Sequence, residues 1–211
     1  MREVIHALKY DRLHPAAGVL GRLLANAIAK LAGEAPTEML VIPVPLHRAK
    51  YTQRGFNQAR ALAMEAVGAL RGSRPEWKLT LAASTLMRLR ATESQAGLTP
   101  RQRRLNLKGA FSVSDSAQVK GRHVLLVDDI LTTGATARAA ARTLKDAGAA
   151  SVWVATLARA QRATGFGRGA AYEWLQEREE SGDGPARVDV AGWMGSELGD
   201  TGKTGQEQRP F

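Results

Sequence analysis

The chain has 211 residues, of which 44% are hydrophobic and 24% are charged, so it fits one globular domain with an ordinary apolar core. It contains no cysteine, which excludes disulfides, a cysteine nucleophile, thiolate zinc sites and iron–sulfur clusters. The four histidines show no metal-ligand spacing. The net charge of +10 is concentrated in residues 1–160, which hold 24 basic and 11 acidic residues. We expect this part to attract phosphate groups, on a small molecule or on nucleic acid; a well-solvated basic surface is the alternative.

The first predicted elements are a helix, a strand and a second helix. Apolar residues at helical spacing predict a helix over residues 15–32, and a short apolar run predicts a buried strand over residues 39–44. Asn57 is predicted to cap a helix whose apolar face continues to Leu70. Residues 79–89 are predicted as a strand with polar interruptions, and residues 100–107 as a short basic helix.

The centre of the chain predicts a strand, a helix and a second strand within about 35 residues. Residues 123–127 are apolar without alternation, which is typical of a parallel strand covered on both faces. A helix over residues 134–147 should end at Gly148, and residues 151–157 return as a second buried strand. The sequence therefore predicts an α/β fold with a parallel sheet and a right-handed crossover.

The C-terminal region differs in composition from the rest. Residues 161–211 hold ten of the 21 glycines, with 6 basic and 9 acidic residues. We predict a domain over residues 1–162 and a flexible tail over residues 163–211, with a short helix at residues 170–180. No apolar run reaches the ~18 residues of a membrane span, and the first residues do not form a signal peptide. With the lack of cysteine, this predicts a cytoplasmic protein.

A pair of acids and a hydroxyl-rich turn follow the first central strand. Asp128 and Asp129 come directly after the apolar run, and the next helix opens at Thr132, Thr133, Gly134, Ala135 and Thr136. A helix N-terminus preceded by glycine suits a phosphate monoester, and the threonines can add hydroxyl donors. Carboxylates repel phosphate, so their natural use is to accept hydrogen bonds from a vicinal diol such as ribose hydroxyls. An ordinary capped helix is the alternative.

Residues 124–136 closely resemble the phosphoribosyl pyrophosphate (PRPP) signature of type I phosphoribosyltransferases. Several separate motifs within residues 1–160 look like those of the ComF-like competence proteins, a subgroup linked to uptake of transforming DNA. These motifs are Pro43-Val-Pro-Leu-His47, Arg54-Gly-Phe-Asn-Gln58, Arg88-Leu-Arg90 with Gln95, and Arg104-Leu-Asn106 with Ala110-Phe111. The subgroup usually carries an N-terminal four-cysteine zinc ribbon, so we interpret this chain as starting downstream of that module, by truncation or an alternative start.

The resemblance implies a type I phosphoribosyltransferase-like fold, with helices on both faces of a mainly parallel sheet and a hood formed by residues 1–35. It assigns the ribose hydroxyls to the acidic pair and the 5′-phosphate to residues 132–136. The pyrophosphate is assigned to Val44, Pro45, Leu46, Arg54, Arg88 and Arg90. A strand terminator at Pro45, a solvated arginine beside an asparagine cap at Arg54, and a nucleic-acid patch or solvated face over residues 88–108 are the alternatives.

The implied ligands are PRPP, Mg²⁺ bound with its pyrophosphate, and an unidentified nucleobase-like acceptor; no catalytic residue and no protein metal ligand is assigned. Three functions are considered. The first is phosphoribosyl transfer, and the second is sensing of PRPP or a nucleotide without turnover. The third is binding of single-stranded DNA in the cytoplasm, with the DNA-uptake machinery as partner. Aromatic residues total only 5% and do not interleave with the arginines, which disfavours the third function. A homo-oligomer is left open.

Overall fold

The computed structural model of the chain describes residues 14–90, 107, 109–159 and 190–191. Its elements, in chain order, are α1 (His14–Ala29), β1 (Glu38–Pro43), α2 (Arg48–Arg54), α3 (Gln58–Ser73), β2 (Lys78–Leu81), β3 (Leu86–Arg88), β4 (Phe111–Val113), a 3₁₀ turn (Ser116–Gln118), β5 (His123–Leu131), α4 (Ala135–Asp146), β6 (Ser151–Arg159) and β7 (Val190–Ala191). The basic helix predicted at residues 100–107 lies, except for Leu107, outside the described residues, as does the helix predicted at residues 170–180.

A five-stranded sheet in the order β2-β1-β5-β6-β7 forms the centre, and each neighbouring pair is parallel. The predicted α/β class with a parallel sheet is confirmed. The strand predicted over residues 79–89 is wrong as a single element: β2 joins the central sheet, whereas β3 pairs antiparallel with β4. The chain turns between them because the Thr85 N–H donates to the Ala82 carbonyl, and Thr85 is itself buried.

Two apolar clusters pack on the two faces of this sheet. One cluster joins α1 and α3 to Val41, Leu125 and Val127, and the other joins α4 and the β3–β4 hairpin to Val124 and Leu126. Strand β5 therefore sends alternate side chains into both clusters. This explains why its sequence is apolar without alternation, and it confirms the prediction of helices on both faces.

Helix α1 lies against α3 and β6. The helices approach closely at Gly21, where a Cβ would collide with the side chain of Glu65. Residues 14–29 of the predicted hood therefore form part of the helical layer over the sheet, and residues 1–13 lie outside the described residues. Among the helices that the structure describes, none has the length and apolar character needed to cross a membrane.

Only a small part of the predicted C-terminal tail is described. Val190 and Ala191 form β7, which pairs with Val154 and Ala155 of β6. This adds two residues of the region 163–211 to the sheet. The remaining tail lies outside the described residues, so its flexibility and the domain boundary at residue 162 stay predictions.

Candidate functional site

Strand β5 carries the acidic pair inside the sheet. The sequence predicts that the strand ends at Val127, but β5 continues to Leu131 because β6 keeps pairing with it, with Asp128 opposite Thr156 and Leu131 opposite Arg159. Asp128 and Asp129 are both half-buried. The two carboxylates are thus held by a hydrogen-bonded strand rather than by a loop, at the carboxyl edge of the sheet where α/β folds bind ligands.

Each carboxylate of the pair is oriented by the backbone that follows it. Oδ1 of Asp128 accepts a hydrogen bond of 2.9 Å from the N–H of Asp129, and Oδ1 of Asp129 accepts one of 2.8 Å from the N–H of Ile130. A carboxylate has about four acceptor positions, so one such bond fixes its orientation without exhausting its capacity. This arrangement suits recognition of neighbouring hydroxyl groups.

Arg88, at the end of β3, reaches the same edge. Its guanidinium lies 5.4 Å from the centre of the Phe111 ring. Burial lowers the pKa of Arg88 below its usual value, and the carboxylate of Asp128 opposes that shift. Arginine stays charged at neutral pH in any case, so a half-buried cation lies within electrostatic range of one of the two acids. Arg90 follows β3 and is exposed, and residues 91–106 of the basic segment 88–108 lie outside the described residues.

The turn after β5 has the features of an anion site rather than of a side-chain-capped helix. Gly134 is the N-cap of α4, with φ of +70° and no side-chain hydrogen bond to the first turn. The capped-helix alternative therefore fails at this position. The hydroxyl of Thr133 is buried and has no hydrogen-bond partner among the described residues. Thr132 is exposed, Ala135 is buried and Thr136 is half-buried. Backbone N–H groups of the first turn and a buried hydroxyl together fit a phosphate.

Arg138 belongs to this turn, although the sequence analysis did not select it. Its Nη2 donates a 2.8 Å hydrogen bond to the carbonyl oxygen of Thr133. The sequence does indicate that Arg138 lies near the turn, because it stands four residues after Gly134 and both lie on the same face of the helix.

The predicted pyrophosphate loop needs one correction. The N–H of Val44 donates to the carbonyl of Val127 at 2.8 Å, which extends the pairing of β1 with β5. Val44 is buried and this hydrogen bond occupies its N–H, so Val44 does not offer a backbone donor to the pyrophosphate that the resemblance assigns to it. Pro45 has no N–H, which leaves the half-buried Leu46 as the backbone donor of the predicted set.

Asn57 connects this loop to α3. Its Oδ1 accepts from the N–H of Arg60 at 3.3 Å, which confirms the predicted cap, and its Nδ2 donates to the Val44 carbonyl at 3.0 Å. Arg54, the last residue of α2, places Nη1 at 3.5 Å from Oε1 of Gln58 at the start of α3. Arg54 is thus held at a helix N-terminus, beside the loop that leaves β1.

We expect Asn57→Ala to lower the free energy of unfolding by about 2 kcal/mol, because it removes both the cap of α3 and the donor to a buried carbonyl. Denaturant titration measures the change. Asn57→Asp keeps a cap oxygen but loses the amide donor, so its stability should fall between those of Asn57→Ala and the unmodified protein. A denaturant midpoint of Asn57→Ala equal to that of the unmodified protein would contradict this role.

The side chains at this edge have oxygen atoms that suit Mg²⁺ only when a phosphorylated ligand supplies further oxygen ligands. Within the described parts of the chain, no three histidine, aspartate or glutamate side chains are grouped closely enough to hold a metal ion. Mg²⁺ in phosphate sites takes one or two carboxylates, waters and oxygens of the substrate. Asp128 and Asp129 supply hard oxygen ligands of this kind, so the residues present fit a Mg²⁺ that arrives with a phosphorylated ligand.

Comparison with known proteins identifies the family of this chain. Residues 53–187 match the phosphoribosyl transferase domain. The DNA utilization protein YhgH of Salmonella typhi is 35% identical over 158 residues, which cover 74% of this chain and 66% of that protein. Competence protein F of Haemophilus influenzae is 35% identical over 67% of this chain and 60% of its own length. A solved glutamine PRPP amidotransferase from B. subtilis has a TM-score of 0.44 and 23% identity, over 69% of this chain and 26% of that one.

The match over residues 53–187 defines the class as a phosphoribosyltransferase domain. The chain belongs to this family, within the ComF-type group of DNA-utilization and competence proteins, as the resemblance of its motifs predicted. It spans about two thirds of the length of its DNA-utilization relatives, 66% for that of Salmonella typhi.

Proposed function

We propose that this protein binds PRPP with Mg²⁺ at the carboxyl edge of its sheet and transfers the phosphoribosyl group to a nucleobase-like acceptor. The main support is one juxtaposition. Two carboxylates fixed on a paired strand, Asp128 and Asp129, stand a few residues before the N-terminus of α4. Among the described residues, no side chain caps this N-terminus and the buried hydroxyl of Thr133 has no hydrogen-bond partner. A ligand that carries a diol and a phosphate monoester on one sugar matches these two parts in order.

The acidic pair would accept hydrogen bonds from the ribose hydroxyls. Charge-assisted hydrogen bonds of this kind are shorter and stronger than neutral ones. Because β5 and β6 fix the backbone at Asp128, little conformational freedom is lost when the ribose binds. The 5′-phosphate would lie at the first turn of α4, where the hydroxyl of Thr133 and backbone N–H groups can donate to it.

The pyrophosphate would be held by Arg88, Arg54 and the N–H of Leu46, each at or beside the carboxyl end of a strand. The charge of Asp128 already acts on Arg88, so an anion bound there would share the electrostatic influence of this guanidinium with the carboxylate. Arg90, exposed beyond β3, adds a further cation on the solvent side. Bound Mg²⁺ supplies charge neutralisation of the pyrophosphate and eases its departure.

Transfer would break the bond between ribose C1 and the pyrophosphate oxygen, with the electron pair leaving on pyrophosphate. An acceptor nitrogen then forms the new bond to C1 and loses its proton to solvent. This chain contributes orientation of the ribose and stabilisation of the leaving anion, because its donors are fixed before the charge develops. No described residue is assigned as a base for the acceptor.

Calorimetric titration of the unmodified protein tests the proposal. We expect saturable PRPP binding that requires Mg²⁺, and weaker binding of ribose 5-phosphate or pyrophosphate alone, because each carries only part of the recognised groups. A nucleobase screen read out as pyrophosphate release then identifies the acceptor. Absence of PRPP binding would refute the function, whereas binding without release with any acceptor would favour a PRPP sensor.

Single-stranded nucleic acid is a second candidate ligand, because α2 and its surroundings form a basic, aromatic surface. No side chain of α2 is buried, and Tyr51 is 48% exposed between Arg48, Lys50 and Arg54. Tyr51 and Phe56 line a groove of about 410 Å³ that includes Arg60 and Met64. In this stretch, aromatic residues and cations alternate along the chain, contrary to the expectation that the aromatic residues do not interleave with the arginines. The names of the relatives, which refer to DNA utilization and competence, support the same candidate.

If α2 binds single-stranded DNA, Arg48→Ala with Lys50→Ala should reduce the slope of log affinity against log salt by about 1.4, at about 0.7 per phosphate contact. Tyr51→Ala should weaken binding about 10-fold through lost stacking. The matched control is Arg71→Ala with Lys78→Ala, which removes two exposed charges from α3 and β2. Equal salt slopes for the two double variants would exclude α2 as the DNA contact.

A further inference from the structure

Arg138 makes an unusual set of contacts with the turn that precedes α4. Its backbone N–H donates to the carbonyl of Gly134 at 2.9 Å, and its Nη2 donates to the carbonyl of Thr133 at 2.8 Å. One residue therefore binds two consecutive carbonyl oxygens of the turn. A helix residue ordinarily secures only the carbonyl four positions before it, so the side-chain bond is an addition that this sequence supplies.

The guanidinium also lies directly against the glycine. Nη1 of Arg138 is 3.3 Å from the position that a Cβ on Gly134 would occupy. The arginine can approach this closely because residue 134 has no side chain. Gly134 is in the left-handed region, with φ of +70°, which glycine adopts without strain, so the same residue allows both the turn and the close approach of Arg138.

We propose that Arg138 is a positioning residue for the phosphate of a phosphorylated ligand. It holds the Thr133 carbonyl away from the ligand and partly neutralises its negative end, so that the turn presents N–H groups and the Thr133 hydroxyl to the phosphate. Its positive charge adds to that of the helix N-terminus, where the two act on the same anion. This inference rests on the proposed function and concerns the 5′-phosphate part of that site.

A positioning role for Arg138 differs from a purely structural role in the ligands whose binding it affects. A purely structural hydrogen bond would change the stability of the fold and affect all ligands of the site alike. A positioning role for the 5′-phosphate would weaken ligands that carry this phosphate and spare those that do not. Inorganic pyrophosphate, expected at Arg88 and Arg54, is the ligand that should be spared.

The experiment compares Arg138→Met and Arg138→Lys with the control Arg142→Met, which removes an exposed arginine one turn further along α4. Each protein is titrated with PRPP and Mg²⁺, ribose 5-phosphate, and pyrophosphate with Mg²⁺, at a temperature where all variants are folded. We expect Arg138→Met to weaken PRPP and ribose 5-phosphate by the same factor, about 10-fold, and to leave pyrophosphate affinity unchanged. Arg138→Lys should be intermediate, and Arg142→Met should match the unmodified protein.

The outcomes separate this inference from the function on which it rests. If the unmodified protein binds PRPP and Arg138→Met binds ribose 5-phosphate equally well, Arg138 has no positioning role and the proposed function stands. Equal loss of affinity for all three ligands would also overturn the role, because it would indicate general damage to the site. If the unmodified protein binds neither PRPP nor ribose 5-phosphate, the proposed function and this inference are both refuted.

Discussion

Replacing both Asp128 and Asp129 by asparagine should reduce PRPP affinity by at least about 100-fold. Each carboxylate is expected to contribute charge-assisted hydrogen bonds worth about 1.5–3 kcal/mol, and an amide cannot replace the lost charge. Asparagine keeps an Oδ1 acceptor, so the hydrogen bonds to the N–H groups of Asp129 and Ile130 can persist. Calorimetric titration with PRPP and Mg²⁺ gives the affinity. An unchanged PRPP affinity in the folded double variant would refute the assignment of the ribose site.

The two single variants should differ in stability. The charge of Asp128 favours the charged form of the half-buried Arg88, so Asp128→Asn removes this stabilising charge and should lower the thermal midpoint. Asp129→Asn should leave the midpoint nearly unchanged. Asp146→Asn, at an exposed aspartate that ends α4, is the matched control and should alter neither stability nor PRPP affinity. A lower midpoint for Asp129→Asn than for Asp128→Asn would contradict the pairing of Asp128 with Arg88.

Gly134→Ala should reduce both stability and ligand affinity. With φ of +70°, residue 134 adopts a conformation that costs a non-glycine residue about 1–2 kcal/mol. The new Cβ would also stand 3.3 Å from Nη1 of Arg138 and 3.6 Å from Cδ1 of Leu131, so the guanidinium that binds the turn must move by a few tenths of an ångström. Because the phosphate is expected at this turn, we expect PRPP affinity to fall at least about 10-fold. Thermal unfolding and titration measure the two effects.

Gly121→Ala is a control that separates the cost of a left-handed backbone from damage to the phosphate site. Gly121 has φ of +72°, and no atom of the described residues lies within 4 Å of its ideal Cβ. Its substitution should cause a similar loss of stability and leave PRPP affinity intact. Two glycine variants that lose stability equally and both bind PRPP like the unmodified protein would show that the turn at Gly134 does not contact the ligand.

The elements that the sequence predicted well are those whose signals are local. The apolar run of β5, the small-residue face of α4 and the cap at Asn57 each depend on neighbours within a few residues, and all three are confirmed. The division of residues 79–89 into two strands was missed because it depends on the pairing of β3 with β4, about 25 residues further along the chain. The local sequence pattern of a strand does not indicate which distant strand will pair with it.

The candidate site shows the same limit. The acidic pair and the threonine turn could be selected because residue type and order indicate their chemistry. The hydrogen bond of the Val44 N–H could not be predicted, since it depends on the register between β1 and β5. That register brings Val127 opposite the end of β1. The electrostatic influence of Asp128 on Arg88 likewise depends on the hairpin that orients β3. The groove shared by Tyr51, Phe56 and Met64 depends on how α2 and α3 are placed in the fold.

Strand β5 couples the stability of the two apolar clusters that pack on the two faces of the sheet. Its alternate side chains belong to two different apolar clusters, so neither cluster can come apart while the other keeps its packing. The two clusters should therefore unfold in a single cooperative step. The acidic pair then loses its geometry only when the whole sheet unfolds. A ligand bound at Asp128 and Asp129 accordingly protects the sheet and both helical layers against proteolytic attack on the unfolded chain, rather than shielding one surface loop.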